Sequence, residues 1–319
     1  MTPKELNLSV SDDNLNFKEF SKQPEYVEVN RGLIQKLVSQ LPAVFCHVDV
    51  ATGTGLVPRL IIEEATEENK EGEVIGLDPN VTSLNIAGRN ILGSRGISVK
   101  FIEGMGQDLK QLLNGIIPPG GVDGVSILDA LHEIRKDEDK VEVIGAMAEI
   151  LKTGGLLAFN SAFTTEAISI DPMSWGKLKL RAMGILGRKR DKQIQGLLIH
   201  PPWKYKQMIE NAGLEVIYEA KKTVNLTREA LLAISKYPPF FRGALEDMRG
   251  QEGFSDIEKS SALVQAVKEL GVLGVLVFPR VWYEIIARRD GCAGMERSKQ
   301  FQDYGRLGIG TEWLFKTAG

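Results

Sequence analysis

The feature that most constrains the fold is a short apolar run ending in a glycine-rich turn. Residues 44–50 read VFCHVDV, and ATGTG follows at 51–55. An apolar run bounded by turn residues is typical of a buried strand, and residues 58–68 then change to helical spacing. A glycine turn between a strand and a helix places backbone N–H groups at the helix N-terminus, where a ligand can approach closely. The sequence therefore predicts a ligand site at this turn.

The alternation of strands and helices continues along the chain and predicts the fold class. Strands alternating with helices indicate βαβ units in a mostly parallel, Rossmann-like α/β sheet of seven strands, with helices on both faces and a helical cap. The helix over 137–151 is expected to end in a glycine C-cap at 152–155. The other predicted elements are a helix from Pro24 to about Pro42, strands at 73–78, 97–102, 122–128, 156–160, 214–218 and 281–287, and helices at 80–92 and 203–212.

Three regions are predicted from these elements. The first is an N-terminal arm and cap helix (1–42), with residues 1–20 expected to be loose. The second is a main domain (43–290) with cap insertions at about 163–200 and 225–270. The third is a C-terminal tail (291–319), which could be an extra strand, a lid or disordered. The N-terminus shows no basic segment followed by an apolar run, and the run from Leu270 to Phe278 is about half a membrane span. We therefore expect a cytoplasmic protein without stable membrane insertion.

Charge and metal-ligating residues exclude several classes of function. Lys+Arg total 39 against 42 Asp+Glu, a formal charge of −3, which argues against a nucleic-acid partner bound by phosphate neutralisation. The two cysteines, Cys46 and Cys292, form no CxxC pair, so neither a disulfide scaffold nor a cysteine zinc site is expected. Only three histidines are present, namely His47, His132 and His200, and no metal is predicted.

Two acids accompany the glycine turn. Asp49 precedes it and Asp78 ends the next predicted strand. In open α/β sheets, ligands bind beyond the carboxyl ends of the strands, and an acid at the second position can accept both ribose hydroxyl hydrogens. This arrangement fits either a dinucleotide or S-adenosylmethionine. Pro58 stands where the nicotinamide fingerprint requires its third glycine, which argues against a nicotinamide dinucleotide. No phosphate-binding lysine follows the turn, which excludes a P-loop.

Five segments in order resemble the class I S-adenosylmethionine-dependent methyltransferases, in their ubiquinone/menaquinone-methylase-like branch. The resemblance covers residues 44–160 and extends toward residue 290. Its segments are VDVATGTG at 48–55, IGLD at 75–78, FIEGMGQDL at 101–109, VDGVSILDALHEI at 122–134 and EILKTGGLL at 149–157.

The resemblance implies S-adenosylmethionine as cofactor and a set of binding residues. Ala51 replaces the first glycine of the turn, which is tolerable if its φ is negative. Met105 replaces the acid that usually reads the adenine amino group, so that contact would come from backbone, Gln107 or Asp108. The implied contacts are Asp49, Ala51, Gly53 and Gly55 to the methionine part, Asp78 and Pro79 to the ribose, Met105 and Gly106 to the adenine, and Asp129 and His132 beside the donor methyl.

His132 is the candidate catalytic residue. A histidine there could deprotonate a hydroxyl or amine of the acceptor, or it could simply pack against the cofactor pocket. His47 is expected to be a core histidine, and Glu133 to lie at a solvated helix start. The residues predicted to contact substrate, each with an alternative role in the core or in a turn, are Tyr26, Trp175, His200, Trp203 and Phe240.

The implied activity is methyl transfer to O, N or C of a small, fairly apolar acceptor by in-line displacement. The alternatives are a non-catalytic binding protein of the same fold and a nucleotide-cofactor oxidoreductase. A nucleic-acid methyltransferase is disfavoured because Asp129-Ala130-Leu131-His132 stands in place of an Asn-Pro-Pro-Tyr-type motif for a flipped base. The oligomeric state stays open.

Overall fold

A computed structural model describes residues 13–94, 96–191 and 199–291 of the 319-residue chain. Most of the predicted tail, with Cys292, and part of the first cap insertion therefore lie outside the described residues. The strands are β1 (Val44–Val50), β2 (Glu71–Asp78), β3 (Ile97–Glu103), β4 (Val122–Leu128), β5 (Leu151–Ser161), β6 (Leu214–Thr227) and β7 (Val277–Arg289). The helices are α1 (Asp13–Phe20), α2 (Pro24–Val38), α3 (Leu56–Glu67), α4 (Val81–Asn90), α5 (Leu109–Leu112), α6 (Asp137–Ile150), α7 (Pro172–Ile185), α8 (Pro202–Asn211), α9 (Arg228–Ile234), α10 (Pro238–Ala244) and α11 (Asp256–Val272).

The seven strands form one sheet in the order β3-β2-β1-β4-β5-β7-β6. Strands β1 to β5 pair with one another in parallel, whereas β7 runs antiparallel to both β5 and β6. The predicted fold class is confirmed. Because the strand order reverses between β1 and β4, the carboxyl ends of these two strands flank the crevice in which open α/β sheets bind ligands.

Buried apolar side chains form three clusters, one on each face of the sheet and one over its strand ends. One cluster packs α5, α6 and α8 against one face of the sheet, and a second packs α2, α3 and α4 against the other. The third cluster joins α1, α7, α9, α10 and α11 over the strand ends, with Phe278 and Trp282 of β7 at its base. We call these five helices the cap. They enclose the space above the carboxyl end of the sheet.

The junction between α6 and β5 differs from the predicted glycine C-cap. Leu151 already has extended dihedrals, φ −69° and ψ 140°, and β5 begins there. Gly154 and Gly155 therefore lie within the strand. A Cβ on Gly155 would lie 3.0 Å from the Val122 carbonyl oxygen. The glycine permits close approach of β4 and β5 at an irregular register, which a helix pattern does not reveal.

Two further boundaries differ from expectation. Residues 13–20 form a helix rather than a loose arm, because Phe17 and Phe20 pack their rings against Tyr26 at 5.5 and 4.8 Å between centroids. Residues 225–227 end β6, so the second helical insertion begins at Arg228. Among the described residues, no helix has both the length and the apolar character needed to span a bilayer.

Candidate active site

The glycine turn after β1 has the backbone of a tight ligand-binding loop. Gly53 and Gly55 have φ of +54° and +89°, and Ala51 has φ +57°. The condition of a negative φ at Ala51 is therefore not met: the alanine adopts the conformation that glycine would take there, at a steric cost. A Cβ on Gly55 would lie 2.0 Å from Ile91 Cδ1, whereas one on Gly53 would meet no atom within 4 Å. Gly55 is thus required for packing against α4, and the space beside Gly53 is open.

Asp49 is a buried carboxylate with one free oxygen. It is only 1% exposed, and its Oδ1 accepts a hydrogen bond of 2.6 Å from the Ser126 hydroxyl. Ser126 in turn contacts His47 Nε2 at 2.9 Å, as expected for a core histidine. Within the described residues, Asp49 Oδ2 has no hydrogen-bond partner, although the Thr52 hydroxyl lies nearby and helps to lower the pKa. Burial outweighs these contacts and raises the pKa of Asp49 to about 7.

Asp78 ties the end of β2 to the glycine turn. Its two carboxylate oxygens accept hydrogen bonds of 2.8 Å each, from the backbone N–H of Gly53 and of Asn80. Burial raises its pKa despite these two donors. Each carboxylate oxygen can accept more than one hydrogen bond, so the group retains capacity for two ligand hydroxyls. Pro79 follows directly and leads into α4.

The third motif segment lies beside the turn after β3. Met105 is half exposed, and Gly106 begins a short 3-10 turn. A Cβ on Gly106 would lie 3.0 Å from Val143 and 3.1 Å from Val50, the last residue of β1. Gly106 therefore approaches the first motif closely. Gln107 and Asp108 follow in the same 3-10 turn.

Asp129 braces the carboxyl ends of β4 and β5 against the N-terminal half of β7. Its Oδ1 accepts from Ala162 N–H at 2.6 Å, and its Oδ2 accepts from Trp282 Nε1–H at 2.8 Å. Its own N–H donates to the Asn160 side chain at 3.0 Å, and Asn160 donates to Asn30 of α2 at 2.9 Å. With φ +51° and both oxygens engaged, Asp129 positions β4, β5 and β7 around the site.

His132 lies just past Asp129 and faces the cap. Its ring stacks on Phe163, with centroids 3.8 Å apart and an interplanar angle of 14°. Its Nδ1 is buried and has no hydrogen-bond partner in the described part of the chain. Burial, followed by the charges of Arg280 and Lys140, lowers the pKa of His132 to about 3. The imidazole is therefore neutral near pH 7.

A partly open cavity lies between these strand ends and the cap, with about 420 Å³ of empty space when the part open to solvent is included. Its lining is mostly aromatic and includes three of the predicted substrate residues, so the fold brings Tyr26, Trp175 and Phe240 together with Asp129 and His132. Apolar and aromatic walls with a few polar groups are typical of small-molecule sites. The other lining residues are Phe17, Phe20, Glu133, Ala162, Phe163, Leu226, Ile234, Tyr237, Arg280 and Trp282.

Two predicted substrate residues do not line this cavity. His200 is buried, and its Nε2 donates to Asp137 at the start of α6 over 2.6 Å. Lys204 donates to the same carboxylate at 2.6 Å, so His200 belongs to a structural ion cluster. Trp203 is 62% exposed because the first turn of α8 points its ring away from the sheet. Both placements depend on how α8 packs, which the Pro-Pro-Trp pattern does not specify.

The sequence analysis missed several residues that the fold brings into the cavity. Glu133 is exposed, as predicted for a solvated helix start, but it also lines the cavity and accepts a hydrogen bond of 2.7 Å from the Tyr237 hydroxyl. Arg280 lies one residue before the strand predicted at 281–287. The available signal was a period-two pattern at Phe278, Arg280 and Trp282, which places these side chains on one face of β7.

The strand order, the antiparallel β7 and the glycine turn at the reversal point define a class I S-adenosylmethionine-dependent methyltransferase fold. Residues 48–155 match a family described as a methyltransferase domain. The match shows a methyltransferase domain over residues 48–155, and the cofactor of such a domain is S-adenosylmethionine. The ubiquinone/menaquinone-methylase branch stays a prediction.

Several solved structures are similar to this chain. The YcgJ protein of Bacillus subtilis is 14% identical over 82% of this chain and 99% of its own, with a TM-score of 0.48. Phosphoethanolamine N-methyltransferase 2 of Haemonchus contortus is 12% identical over 87% of this chain and 57% of its own, with a TM-score of 0.48. A SAM-dependent methyltransferase of Methanosarcina mazei is 13% identical over 79% of this chain and 95% of its own, with a TM-score of 0.46. No curated protein matches the sequence.

Proposed function

We propose that this methyltransferase acts on a small, fairly apolar acceptor held in the cavity beneath the cap. The observation that supports this proposal is the aromatic lining of the cavity, which meets the end of β4 at Asp129 and His132. When bound, S-adenosylmethionine supplies an activated methyl group for in-line displacement by an O, N or C nucleophile. The chain has only to align the two reactants and exclude water. The cap helices supply the walls that do so.

The residues around the glycine turn suit the cofactor. The free Oδ2 of Asp49 is a buried acceptor for a cationic amino group, and the open space beside Gly53 admits close backbone approach. Asp78 has acceptor capacity for two ribose hydroxyls. We assign the methionine part to Asp49, Ala51, Gly53 and Gly55, the ribose to Asp78 and Pro79, the adenine to Met105 and Gly106, and the border of the methyl site to Asp129.

We assign acceptor contact to His132, Tyr26, Trp175 and Phe240. Because the pKa of His132 is lowered to about 3, its neutral ring offers a hydrogen-bond acceptor and binds a proton weakly. His132 thus orients the nucleophile of the acceptor and is a poor general base while the charge of Arg280 is uncompensated. A non-catalytic binding protein would have the same cavity, so turnover is the measurement that separates the two functions.

Calorimetric titration with S-adenosylmethionine tests the cofactor site. We expect Asp78→Ala to weaken binding more than tenfold, because a charged acceptor of hydrogen bonds is lost. Glu71→Ala is the matched control, since it removes an exposed acid at the opposite end of the same strand. Unchanged affinity in Asp78→Ala would overturn the assignment of the site.

Methyl transfer itself is measured by mass spectrometry with a panel of small aromatic and aliphatic acceptors. His132→Ala should lower turnover while leaving cofactor affinity unchanged, because the ring contacts the acceptor side of the cavity. If binding is normal but no acceptor in the panel gains a methyl group, the non-catalytic alternative is favoured. Equal turnover in His132→Ala and wild type would leave His132 a packing residue.

A further inference from the structure

The acceptor cavity contains a buried arginine. Arg280 lies on β7 and is only 9% exposed. Its guanidinium carbon lies 4.6 Å from the ring centroid of Phe163 and 5.0 Å from that of Trp175. Phe163 stacks on His132 with its rings nearly parallel. His132, Phe163, Arg280 and Trp175 therefore form a continuous stack along one side of the cavity.

Among the described residues, Arg280 uses only one of its hydrogen-bond donors. A guanidinium carries five N–H donors. The Nε–H donates to the Ala162 carbonyl over 2.9 Å. Within residues 13–94, 96–191 and 199–291, no acceptor takes the Nη–H groups, and no Asp or Glu forms an ion pair with Arg280. Burial lowers its pKa to about 10, so the side chain stays charged near neutral pH.

The nearest carboxylate does not neutralise this arginine by contact. Asp129 is close enough to raise the pKa of Arg280, but its two oxygens accept hydrogen bonds from Ala162 N–H and Trp282 Nε1–H. Desolvating an arginine costs several kcal/mol unless hydrogen bonds and opposite charge compensate it. Contacts with two aromatic faces offset part of this cost. A ligand oxyanion at the Nη groups would supply the remainder.

We propose that Arg280 binds the carboxylate of the acceptor, so that the substrate is a small organic acid with a flat apolar body. This proposal rests on the proposed function, because it places the acid in the acceptor cavity. Carboxylates match the planar fork of arginine in bidentate geometry. The aromatic walls of the cavity suit a flat hydrocarbon body. A doubly charged phosphate fits less well, because Asp129 and Glu133 line the same cavity.

An acid bound at Arg280 also acts on His132. The positive charge of Arg280 is one of the causes that lower the pKa of the imidazole. A carboxylate at the guanidinium compensates this charge and raises the pKa of His132. Binding of the acceptor would therefore make the neighbouring imidazole a better proton acceptor at the moment when a nucleophile is present.

Calorimetry on the cofactor-free protein tests the proposal with benzoate, phenylacetate and cinnamate, each compared with its neutral amide. Wild type should bind at least one acid at least tenfold more tightly than the corresponding amide. Arg280→Met should abolish this preference, and Arg280→Lys should retain part of it. Arg188→Met is the matched control, because Arg188 also stacks on an aromatic ring, Phe254 at 5.2 Å, but is exposed and outside the cavity.

Three results would overturn the proposal: equal binding of acids and amides by wild type, binding of none of the acids, or an acid preference that persists in Arg280→Met. If Arg280→Met fails to fold, the proposal is still tested by the preference of wild type for acids over amides and by the reduced preference expected of Arg280→Lys. Titration of every variant with S-adenosylmethionine separates this result from the proposed function. Acid binding without cofactor binding would support the anion site at Arg280 and contradict the proposed S-adenosylmethionine site.

Discussion

The buried carboxylate of Asp49 makes the stability of the cofactor-free protein depend on pH. Asp49→Asn tests this dependence, because it removes the charge, keeps the shape and retains an oxygen for the Ser126 hydroxyl. The free Oδ2 position has no hydrogen-bond partner to lose among the described residues. We therefore expect the main effect of the substitution to be electrostatic.

The sign follows from the direction of the pKa shift. Folding raises the pKa of Asp49 to about 7, against about 3.9 in an unfolded chain. The protonated carboxyl is therefore favoured in the folded state. Wild type loses stability as the pH rises from the unfolded value to the folded one, because the buried group must ionise. By linkage, the loss between about pH 5 and about pH 8 is on the order of 2–3 kcal/mol.

Urea unfolding without cofactor measures this loss. Wild type should lose about 2–3 kcal/mol more than Asp49→Asn between about pH 5 and about pH 8. Glu252→Gln, which neutralises an exposed acid, is the control and should follow the wild-type slope. Parallel curves for wild type and Asp49→Asn would refute the reasoning, since they would show that Asp49 ionises as easily in the folded chain as in the unfolded one.

Three further substitutions test the backbone of the glycine turn and the hydrogen bond between Trp282 and Asp129. Ala51→Gly should raise the free energy of unfolding by about 0.5–1 kcal/mol, and Gly53→Ala should lower it by a similar amount, because both positions have positive φ. Urea unfolding measures both changes. Midpoints that fail to move in opposite directions would contradict this reasoning. Trp282→Phe should cost about 1.5–3 kcal/mol by removing the donor to the Asp129 carboxylate. The cost should fall in an Asp129→Asn background, and additive effects in the double-mutant cycle would disprove that pairing.

Local patterns were sufficient to predict the glycine turn and the acids beside it. The run before the turn, the two glycines and the strand-end acid Asp78 lie within residues 44–78, and their placement depends on β1, α3 and β2 alone. The same patterns did not reveal the φ of Ala51, because the turn dictates a positive φ whatever residue occupies it. They also misjudged the end of α6, where glycines in a strand look like a helix cap.

The acceptor side could not be predicted in this way. The lining of the cavity comes from the cap, α2, β7 and the ends of β4, β5 and β6. More than two hundred positions separate Phe17 from Trp282 in the sequence. An aromatic residue looks the same in a sequence whether it faces a cavity, the core or solvent. Trp203 was therefore assigned to the substrate although it is exposed, and Phe163 was not assigned to the cavity.

The sequence by itself determined the α/β class, the position of the glycine turn and the acids Asp49 and Asp78, because strand and turn chemistry is local. Only the tertiary structure decided the character of the cavity beneath the cap. The antiparallel β7 carries Arg280 to the end of β5, where packing buries it, and within the described residues no side chain pairs with its Nη groups. A sequence shows that a residue is charged, but only the packing around it determines whether that charge is buried, and this burial is the basis for the proposed acid substrate.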